Sequence, residues 1–316
     1  MYQILLSSAL ALWMIGPLAE TANDKAAAPG ITEPAPEVIN IDEDFHERLT
    51  VPVTIDGVGP FNFMIDTGSQ ATVVTDRVHS QVALPSAGTA IIVGMASRRE
   101  VGMVEVESLG LGTRTIYDFN APLLLRDHVG ADGILGLDSL QDMRVLIDFR
   151  TETMSVVDAP EKASRRGYEI VVRAKSKHGQ LLITNALVDG VRTTVIVDTG
   201  SQGSVANLAL REKIRQRRAR EVKAMDVNGA ALIAPMSYAR TLEIQGMQFT
   251  NVAITYADTP AFKELGFTNQ PVLSLGMQSL RLFDRVAIDF SNRQILFDLP
   301  HGMQNVWPAG GYATRL

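Results

Sequence analysis

Two copies of one short phrase carry the residues of this sequence that are best suited to chemistry. "IDTGSQ" runs from Ile65 to Gln70 and "VDTGSQ" from Val197 to Gln202. A single exposed aspartate has a pKa near 4 and is a weak base at neutral pH. Two carboxylates about 3 Å apart behave differently, because both cannot ionise and the pair shares one proton. One of them can then accept a proton from water while the other donates a proton to a carbonyl oxygen.

We therefore predict that Asp66 and Asp198 form one catalytic pair, with one aspartate from each half of the chain. The same three supporting residues follow each aspartate: Thr67, Gly68 and Ser69 in the first copy, and Thr199, Gly200 and Ser201 in the second. The glycines permit a sharp turn and a close approach of the backbone to the carboxylate. We expect the threonine hydroxyls to brace the two halves against each other. We expect the serine hydroxyls to bond the outer carboxylate oxygens and so to favour ionisation of one aspartate.

The segments that precede the two phrases also correspond. "VINI" and "RLTVPVTI" in the first half answer "YEIVV" and "QLLITNALV" in the second. The longer run of each pair ends in Asp-Gly, at Asp56-Gly57 and Asp189-Gly190, a dipeptide that favours a tight hairpin. The chain then returns as "FNFMI" or "TTVIV", a strand that leads directly into the aspartate.

The correspondence continues beyond the phrases. Leu135-Gly136 answers Leu275-Gly276, with a helix-like segment after each, and "VLIDF" at 145–149 answers "VAIDF" at 286–290. Matching order and spacing indicate a duplicated domain. Short strands every 8 to 12 residues make each copy mainly β. The clearest helix candidate is "NLALREKIRQRRAR" at 207–220.

We divide the chain into two lobes at 38–158 and 167–299. An interlobe linker at 159–166 joins them. The Ala/Pro-rich segment after residue 19 has the composition of a linker, so 1–37 is assigned to a leader and linker and 300–316 to a tail.

Composition excludes several classes of function. The 316 residues, 46% of them hydrophobic, are typical of a globular protein. The formal charge of -6 offers no basic face for nucleic acid. Cysteine is absent, so disulfides, thiolate nucleophiles and cysteine-ligated zinc are excluded. The five histidines lack the spacing of a zinc hydrolase, and we expect no metal and no cofactor.

The N-terminus predicts export. "ILLSSALALWMIGPLA", from Ile4 to Ala19, is uncharged, apolar and short for a membrane span, as expected of a secretory signal. An uncleaved segment that tethers the protein to a membrane is the alternative. We expect a periplasmic location, or a secreted or anchored one.

Three other groups of residues compete with the repeated phrase. Asp148 and Asp289 are also repeated, but no glycine follows them, so we interpret them as structural hairpin residues; Asp132 is interpreted as a turn residue. No G-x-S-x-G elbow surrounds Ser201, which argues against a serine triad. The basic run at 211–220 is interpreted as a solvated helix face.

The sequence resembles the bacterial retropepsin-like, two-lobed aspartic proteases, of which pepsins are more distant relatives. The resemblance covers 38–299 and rests on "MIDTGSQATVV" and "VIVDTGSQGSV", followed by "ILG" at 134–136 and "SLG" at 274–276. Ser274 stands where an apolar residue is usual, so the second lobe is the more divergent. The shared-proton chemistry given above is well known in aspartic proteases. The resemblance implies two closed-barrel lobes about a pseudo-twofold axis, and peptide hydrolysis by water held between Asp66 and Asp198, without a metal or a covalent intermediate.

The resemblance also implies β-hairpin flaps over the substrate. "VGMASRREVGM" at 93–103 and "MDVNGAALI" at 225–233 lie where the flaps belong, and Asn228-Gly229 is a good hairpin turn. Neither segment has the flap tyrosine of pepsins. An ordinary surface hairpin is the alternative for both.

These observations predict an exported, bilobal, mainly β aspartic endopeptidase that cleaves an extended peptide or protein substrate, with limited proteolysis of envelope proteins as its role. Two alternatives remain open. In the first, the protein is an inactive peptide-binding or scaffold module of the same fold. In the second, the lobes pair between two chains in a swapped dimer, although the length of the linker favours a monomer.

Overall fold

The computed structural model describes residues 50–159, 168–215 and 218–300, and the backbone of two short segments, 4–6 and 10–11. These segments are strands β1 (Ile4–Leu6) and β2 (Leu10–Ala11). The rest of the predicted leader, most of the predicted interlobe linker and the tail beyond residue 300 lie outside the described residues, as does the predicted start of the fold near Val38. Export therefore stays a prediction. No helix among the described residues is long and apolar enough to cross a membrane.

The first lobe is a closed barrel. Its elements are β3 (Thr50–Ile55), β4 (Val58–Ile65), β5 (Val73–Thr75), α1 (Asp76–Val82), β6 (Ser86–Val93), β7 (Arg98–Leu111), β8 (Arg114–Leu124), α2 (Arg126–Val129), β9 (Gly133–Leu135) and α3 (Leu137–Leu140). The strand order β7-β3-β4-β9-β5-β8 closes because β8 also pairs with β7. Along β3, the side chains of Val51, Val53 and Ile55 are buried and those between them are exposed, so every second residue faces the barrel interior.

The second lobe repeats this plan. After β10 (Met143–Asp148), β11 (Thr153–Asp158), β12 (Ile170–Arg173) and β13 (Lys175–Lys177), its elements are β14 (Gln180–Val188), β15 (Val191–Val197), β16 (Ser204–Ala206), α4 (Leu208–Lys213), β17 (Arg220–Asp226), β18 (Ala231–Ile244), β19 (Met247–Tyr256), α5 (Pro260–Glu264), β20 (Val272–Leu275) and α6 (Met277–Leu280). The order β14-β15-β20-β16-β19-β18 closes through a pairing of β14 with β18. The predicted mainly β, duplicated, closed-barrel fold is confirmed.

A five-stranded antiparallel sheet joins the lobes. It contains β21 (Arg285–Asp289) and β22 (Gln294–Asp298) in the order β11-β10-β21-β22-β12. β10 and β21, which the sequence matched as "VLIDF" and "VAIDF", lie next to each other. The buried Arg144 of β10 donates from Nε to Oδ2 of the fully buried Asp289 at 3.0 Å. The ion pair therefore adds to the pairing of β10 with β21, which comes from the other half of the chain.

Both predicted Asp-Gly hairpins are present. Asp56 and Gly57 have φ of 49° and 77°, and Asp189 and Gly190 have φ of 46° and 79°. Two successive left-handed residues are what a tight type I′ hairpin requires. These turns fix the register of β4 and β15, the strands that deliver the two aspartates.

The predicted helix at 207–220 is too long. α4 ends at Lys213, and Ile214 is extended, with ψ of 157°, and buries its side chain. Continuing the helix would place Arg215 one turn beyond Arg211, where like charges repel. The chain must also become a strand at Arg220, where β17 begins. The basic run is therefore not a continuous solvated helix face.

Candidate active site

Asp66 and Asp198 follow the equivalent strands β4 and β15. Each strand pairs in parallel with a short strand from later in its own lobe: β4 pairs with β9, and β15 pairs with β20. The backbone N–H of Asp66 donates to the carbonyl of Leu135 at 3.0 Å, and that of Asp198 to the carbonyl of Leu275 at 3.1 Å. The matched Leu-Gly elements thus lie directly behind the aspartates.

The backbone of each turn holds the inner carboxylate oxygen. The N–H groups of Gly68 and Ser69 donate to Oδ1 of Asp66 at 2.8 and 3.0 Å. The N–H of Gly200 donates to Oδ1 of Asp198 at 3.1 Å. These bonds set the orientation of both carboxyl groups without help from the serine hydroxyls.

The prediction for the serine hydroxyls is wrong. Ser69 Oγ donates to the carbonyl of Ala71 at 2.9 Å, and Ser201 Oγ donates to the carbonyl of Gly203 at 2.7 Å. Each hydroxyl has one proton and donates it to a backbone carbonyl two residues further along, so the hydroxyls instead hold the chain that leaves each turn. Their role is to shape the loops.

The two carboxyl groups meet across the lobe boundary. Both aspartates are fully buried, and a Cβ atom at Gly200 would overlap the Asp66 carboxyl group. Gly200 is therefore needed for space and not for a left-handed backbone. Burial raises the pKa of Asp198 well above its ordinary value of 3.8, and the neighbouring Asp66 raises it further. The two carboxyl groups therefore lie close enough for the charge of Asp66 to raise the pKa of Asp198, as expected of a pair that shares a proton.

Thr67 and Thr199 make the predicted brace. Thr67 Oγ1 donates to the carbonyl of Val197 at 2.7 Å, and Thr199 Oγ1 donates to the carbonyl of Ile65 at 2.7 Å. Each hydroxyl also accepts from the other threonine's backbone N–H, at 3.1 and 3.2 Å. The bonds are reciprocal and buried, so they fix the distance between the two aspartate turns.

Gln180 is a site residue that the sequence analysis missed. It is buried in the second lobe, and its Nε2 donates to the carbonyl of Gly68 in the catalytic turn of the first lobe at 2.8 Å. Gln180 precedes Asp198 by 18 positions and is the first residue of the matched run "QLLITNALV", whose pattern indicated a strand but no role for a polar side chain at the site. It adds a further bond between the lobes beside the aspartates.

A small cavity lies next to Asp198. Its apolar walls come from the first-lobe hairpin, from β15 and from α5; the lining residues are Gly68, Met95, Gln180, Ile196, Asp198, Ala261, Phe262, Leu265 and Ser274. The space inside is about 10 Å³, roughly the room that one water molecule needs. A peptide does not fit this cavity. A peptide segment can therefore occupy this cavity only after the hairpins that cover it move.

The covering hairpins are the two predicted flaps, β6–β7 and β17–β18, and their tips clasp each other. Oδ2 of Asp226 in the second lobe accepts from the N–H of Ala96 at 3.1 Å and from the hydroxyl of Ser97 at 2.8 Å. Asn228 Nδ2 donates to Ser97 Oγ at 3.0 Å. Met95 at the first tip is buried and lines the cavity beside Asp198. The tips of the two hairpins are therefore hydrogen-bonded to each other, unlike those of ordinary surface hairpins.

The competing aspartates have structural roles. Asp148 accepts from the N–H groups of Arg150 and Thr151 in the turn after β10. Asp289 binds Arg144 and caps its own turn by accepting from the N–H of Asn292. Asp132 is buried and accepts from the N–H of Asn62. The interpretation of all three as structural residues is confirmed.

Comparison with known proteins gives one family. The model of the aspartyl protease family matches residues 51–139 and 184–278, which together make up more than half of the chain, and each matched part contains one Asp-Thr-Gly. The crystal structure of a retropepsin-like aspartic protease from Rickettsia conorii is similar at 20% sequence identity, over 41% of this chain and 88% of that chain, with a TM-score of 0.29. No curated protein matches the chain.

The raised pKa of Asp198 predicts a dependence of stability on pH. The folded protein holds this proton more tightly than the unfolded chain, so the contribution to stability is fully present below pH 3.8 and is lost as the pH rises through the raised pKa. Asn cannot ionise. Asp198→Asn should therefore gain stability relative to the wild type as the pH rises from about 4 to about 8, measured by urea unfolding at each pH.

Asp148→Asn is the control for this measurement. The side chain of Arg150 holds the pKa of Asp148 below its usual range, so Asp148 is ionised in both states above about pH 5. Its difference from the wild type should stay flat from there upward. A flat difference for Asp198→Asn as well would contradict the raised pKa.

The flap clasp predicts which change opens the hairpins. Asp226→Ala removes an acceptor that serves both tips, including the N–H groups of Asn228 and Ala230. Hydrogen bonds to charged groups contribute about 1.5 to 3 kcal/mol each, so amide exchange at 94–97 and 226–230 should accelerate at least tenfold. Hydrogen–deuterium exchange with mass spectrometry measures this. Ser97→Ala, which removes fewer bonds, should give a smaller effect, and unchanged exchange in Asp226→Ala would show that the clasp does not hold the flaps.

Proposed function

Because the chain belongs to the aspartyl protease family, we propose that it is an endopeptidase whose catalytic pair is Asp66 and Asp198. One observation carries this assignment: the Asp66 carboxyl group lies against Gly200, next to the second aspartate, where both groups are buried. The threonine bonds at 2.7 Å between the two turns support it, because they keep the aspartates at a fixed separation.

The proposed reaction uses one water molecule and one shared proton. The ionised carboxylate takes a proton from water, whose oxygen adds to the carbonyl carbon of the peptide. The protonated carboxyl group gives its proton to the carbonyl oxygen. As the resulting diol collapses, the nitrogen takes a proton from one carboxyl group and the C–N bond breaks. One hydroxyl of the diol gives its proton to the other carboxylate, so the amine leaves and the pair again holds one shared proton. No covalent intermediate with the protein forms, and the step draws on no metal or cofactor.

The proposed substrate is a peptide or protein segment in extended conformation. An extended segment can pair its backbone with the edges of the flap hairpins when they open. The apolar walls of the cavity, from Met95, Ile196 and Phe262, support an apolar side chain beside the bond that is cut. Limited cleavage of envelope or exported proteins is the proposed role.

We propose that the active form is a monomer. The reciprocal Thr67 and Thr199 bonds and the pairing of β10 with β21 join two lobes of the same chain. These contacts support a complete site within one chain and make the swapped dimer unnecessary.

Replacement of either aspartate tests the proposed chemistry. Asp66→Asn and Asp198→Asn should each lower kcat/KM at least about 100-fold, since general acid–base catalysis contributes about 10² to 10⁴. The assay is cleavage of a peptide library and of a denatured protein from acidic to neutral pH. Asp148→Asn, outside the site, should cleave as the wild type does. Wild-type activity in either site variant would refute the catalytic pair, and a wild type that binds peptides without cutting them would identify an inactive binding module.

A mixture of the two inactive variants separates the monomer from the swapped dimer. If the lobes pair between chains, a dimer of one Asp66→Asn and one Asp198→Asn chain contains one intact pair and regains activity. A monomer leaves the mixture inactive.

Export is proposed from the apolar segment 4–19 and the linker that follows it. We expect the mature protein in the periplasm to begin after this segment, as mass spectrometry of its N-terminus would measure. An intact N-terminus in the membrane fraction would instead indicate a tether. Full-length protein confined to the cytoplasm would contradict export altogether.

A further inference from the structure

The side chain of Gln180 extends from the second lobe to the catalytic turn of the first. It follows the tight turn between β13 and β14, in which His178 and Gly179 have φ of 49° and 82°. This turn contacts the first lobe, where Gln70 Nε2 donates to the carbonyl of His178 at 3.4 Å. The turn therefore places the Gln180 amide at the lobe boundary, where its Nε2 donates to the carbonyl of Gly68 at 2.8 Å.

The oxygen of the same amide, Oε1, is a buried acceptor that has no donor. Gln180 is 2% exposed, and no group in the described part of the chain donates to Oε1. The contact with the carbonyl of Gly68 fixes which end of the amide is the nitrogen, because two carbonyl oxygens cannot share a hydrogen bond. A buried acceptor without a donor is destabilising and is rare in native structures. Its position beside the catalytic turn indicates that the donor arrives with a ligand.

Gln180 lines the cavity beside Asp198. Two donors in the wall of this cavity are already engaged: the N–H of Gly68 donates to Oδ1 of Asp66 at 2.8 Å, and the hydroxyl of Ser274 donates to Oδ2 of Asp198 at 2.8 Å. Among the described residues of the wall, Gln180 alone has a buried side-chain oxygen or nitrogen without a partner. The remaining side chains offer no donor; they are those of Met95, Ile196, Ala261, Phe262 and Leu265.

An extended peptide brings the donor that this acceptor lacks. Its backbone N–H groups lose their water when they are buried in the site, and each then needs an acceptor. The Gln180 amide is bonded to the Asp66 turn through Gly68 and shares a cavity wall with Asp198. A peptide whose bond is cut between the two aspartates therefore passes beside it.

Resting on the proposed function, we propose that Gln180 is a substrate-binding residue: its Oε1 accepts a hydrogen bond from one backbone N–H of the substrate, next to the bond that is cut. The bond from Nε2 to Gly68 holds the amide in place for this contact. The acceptor selects for a residue that has a backbone N–H at this position, and it disfavours proline, which has none.

Replacement of single N–H groups of the substrate by ester oxygens tests the inference. The probe is the best-cleaved peptide of the library, remade with one ester at each position in turn on both sides of the bond that is cut, with that bond itself unchanged. At one position, the ratio of kcat/KM for the peptide to kcat/KM for its ester should be about tenfold larger in the wild type than in Gln180→Met. Methionine has a similar length and no strong acceptor. Because each ratio is measured within one variant, a loss of folded protein cancels.

Two further variants separate this contact from a structural role. Gln180→Glu keeps an oxygen acceptor and loses the donor to Gly68, so it should retain the larger ratio. Gln141→Met is the matched control, because Gln141 lies outside the cavity wall but beside the same turn, where a Cβ atom at Gly179 would lie 2.8 Å from its Nε2. It should give the wild-type ratio at every position. Equal ratios in the wild type and Gln180→Met at every position overturn the inference, including the case in which Oε1 holds a water molecule.

A second measurement needs no turnover. In Asp66→Asn protein labelled with ¹³C at the glutamine side-chain carbonyl, the signal that disappears in Asp66→Asn/Gln180→Glu belongs to Gln180. Addition of the peptide should shift this signal, and the ester at the responsive position should shift it less. For a wild type that binds without cutting, the tightest-binding library peptide and its esters take the place of this probe.

The outcomes separate the inference from the proposed function. If the wild type cleaves peptides but neither the ratio nor the carbon signal depends on an N–H of the substrate, the role of Gln180 is overturned and the protease assignment stands. If the wild type binds peptides without cutting them and the carbon signal distinguishes the peptide from one ester, the contact of Gln180 with the peptide is supported and the catalytic assignment fails.

Discussion

Two carboxyl groups that are buried side by side cannot both carry a negative charge, and the architecture of this protein maintains that constraint. Each aspartate comes from a different barrel, so the constraint requires a rigid junction between the barrels. The reciprocal bonds of Thr67 and Thr199, at 2.7 Å to the opposite backbone, supply it at the aspartate turns. Away from the aspartates, the five-stranded sheet also makes the junction rigid, and it contains the buried ion pair of Arg144 and Asp289. A single lobe carries only one of the two aspartates and cannot form the pair.

Duplication explains the symmetry of the site, but catalysis needs an asymmetric state in which one group is the acid and the other the base. The two halves have diverged at the positions that contact the aspartates or cover them. Ser274 replaces an apolar side chain behind one carboxyl group. Gly94 and Asp226 occupy corresponding ends of the two flap strands, and a Cβ atom at Gly94 would overlap the Asp226 carboxyl group. The second flap therefore supplies the carboxylate acceptor, Asp226, and the glycine of the first flap leaves the space that this carboxylate occupies.

The barrels and the aspartate turns were predictable because local chemistry determines them. Asp-Gly fixes a hairpin, alternating apolar residues fix the strand face, and the repeated phrase marks the turn. The length of α4 was not predictable, because burial of Ile214 and the start of β17 override helix propensity. Gln180 was missed because its role depends on a contact with Gly68, 112 positions away. The serine hydroxyls were assigned wrongly because the sequence does not reveal whether a hydroxyl donates to a carboxylate or to a nearby backbone carbonyl.

The closed flaps connect the electrostatics of the site to its dynamics. Burial raises the pKa of Asp198 only while the hairpins exclude water, and the cavity of about 10 Å³ beside it leaves no room for a peptide. Opening the clasp at Asp226 to admit substrate also admits solvent, which weakens the desolvation that favours the protonated form. The hydrogen bond from Ser274 comes from β20, a strand inside the barrel, and not from a flap. This contact with the Asp198 carboxyl group therefore does not depend on the position of the flaps.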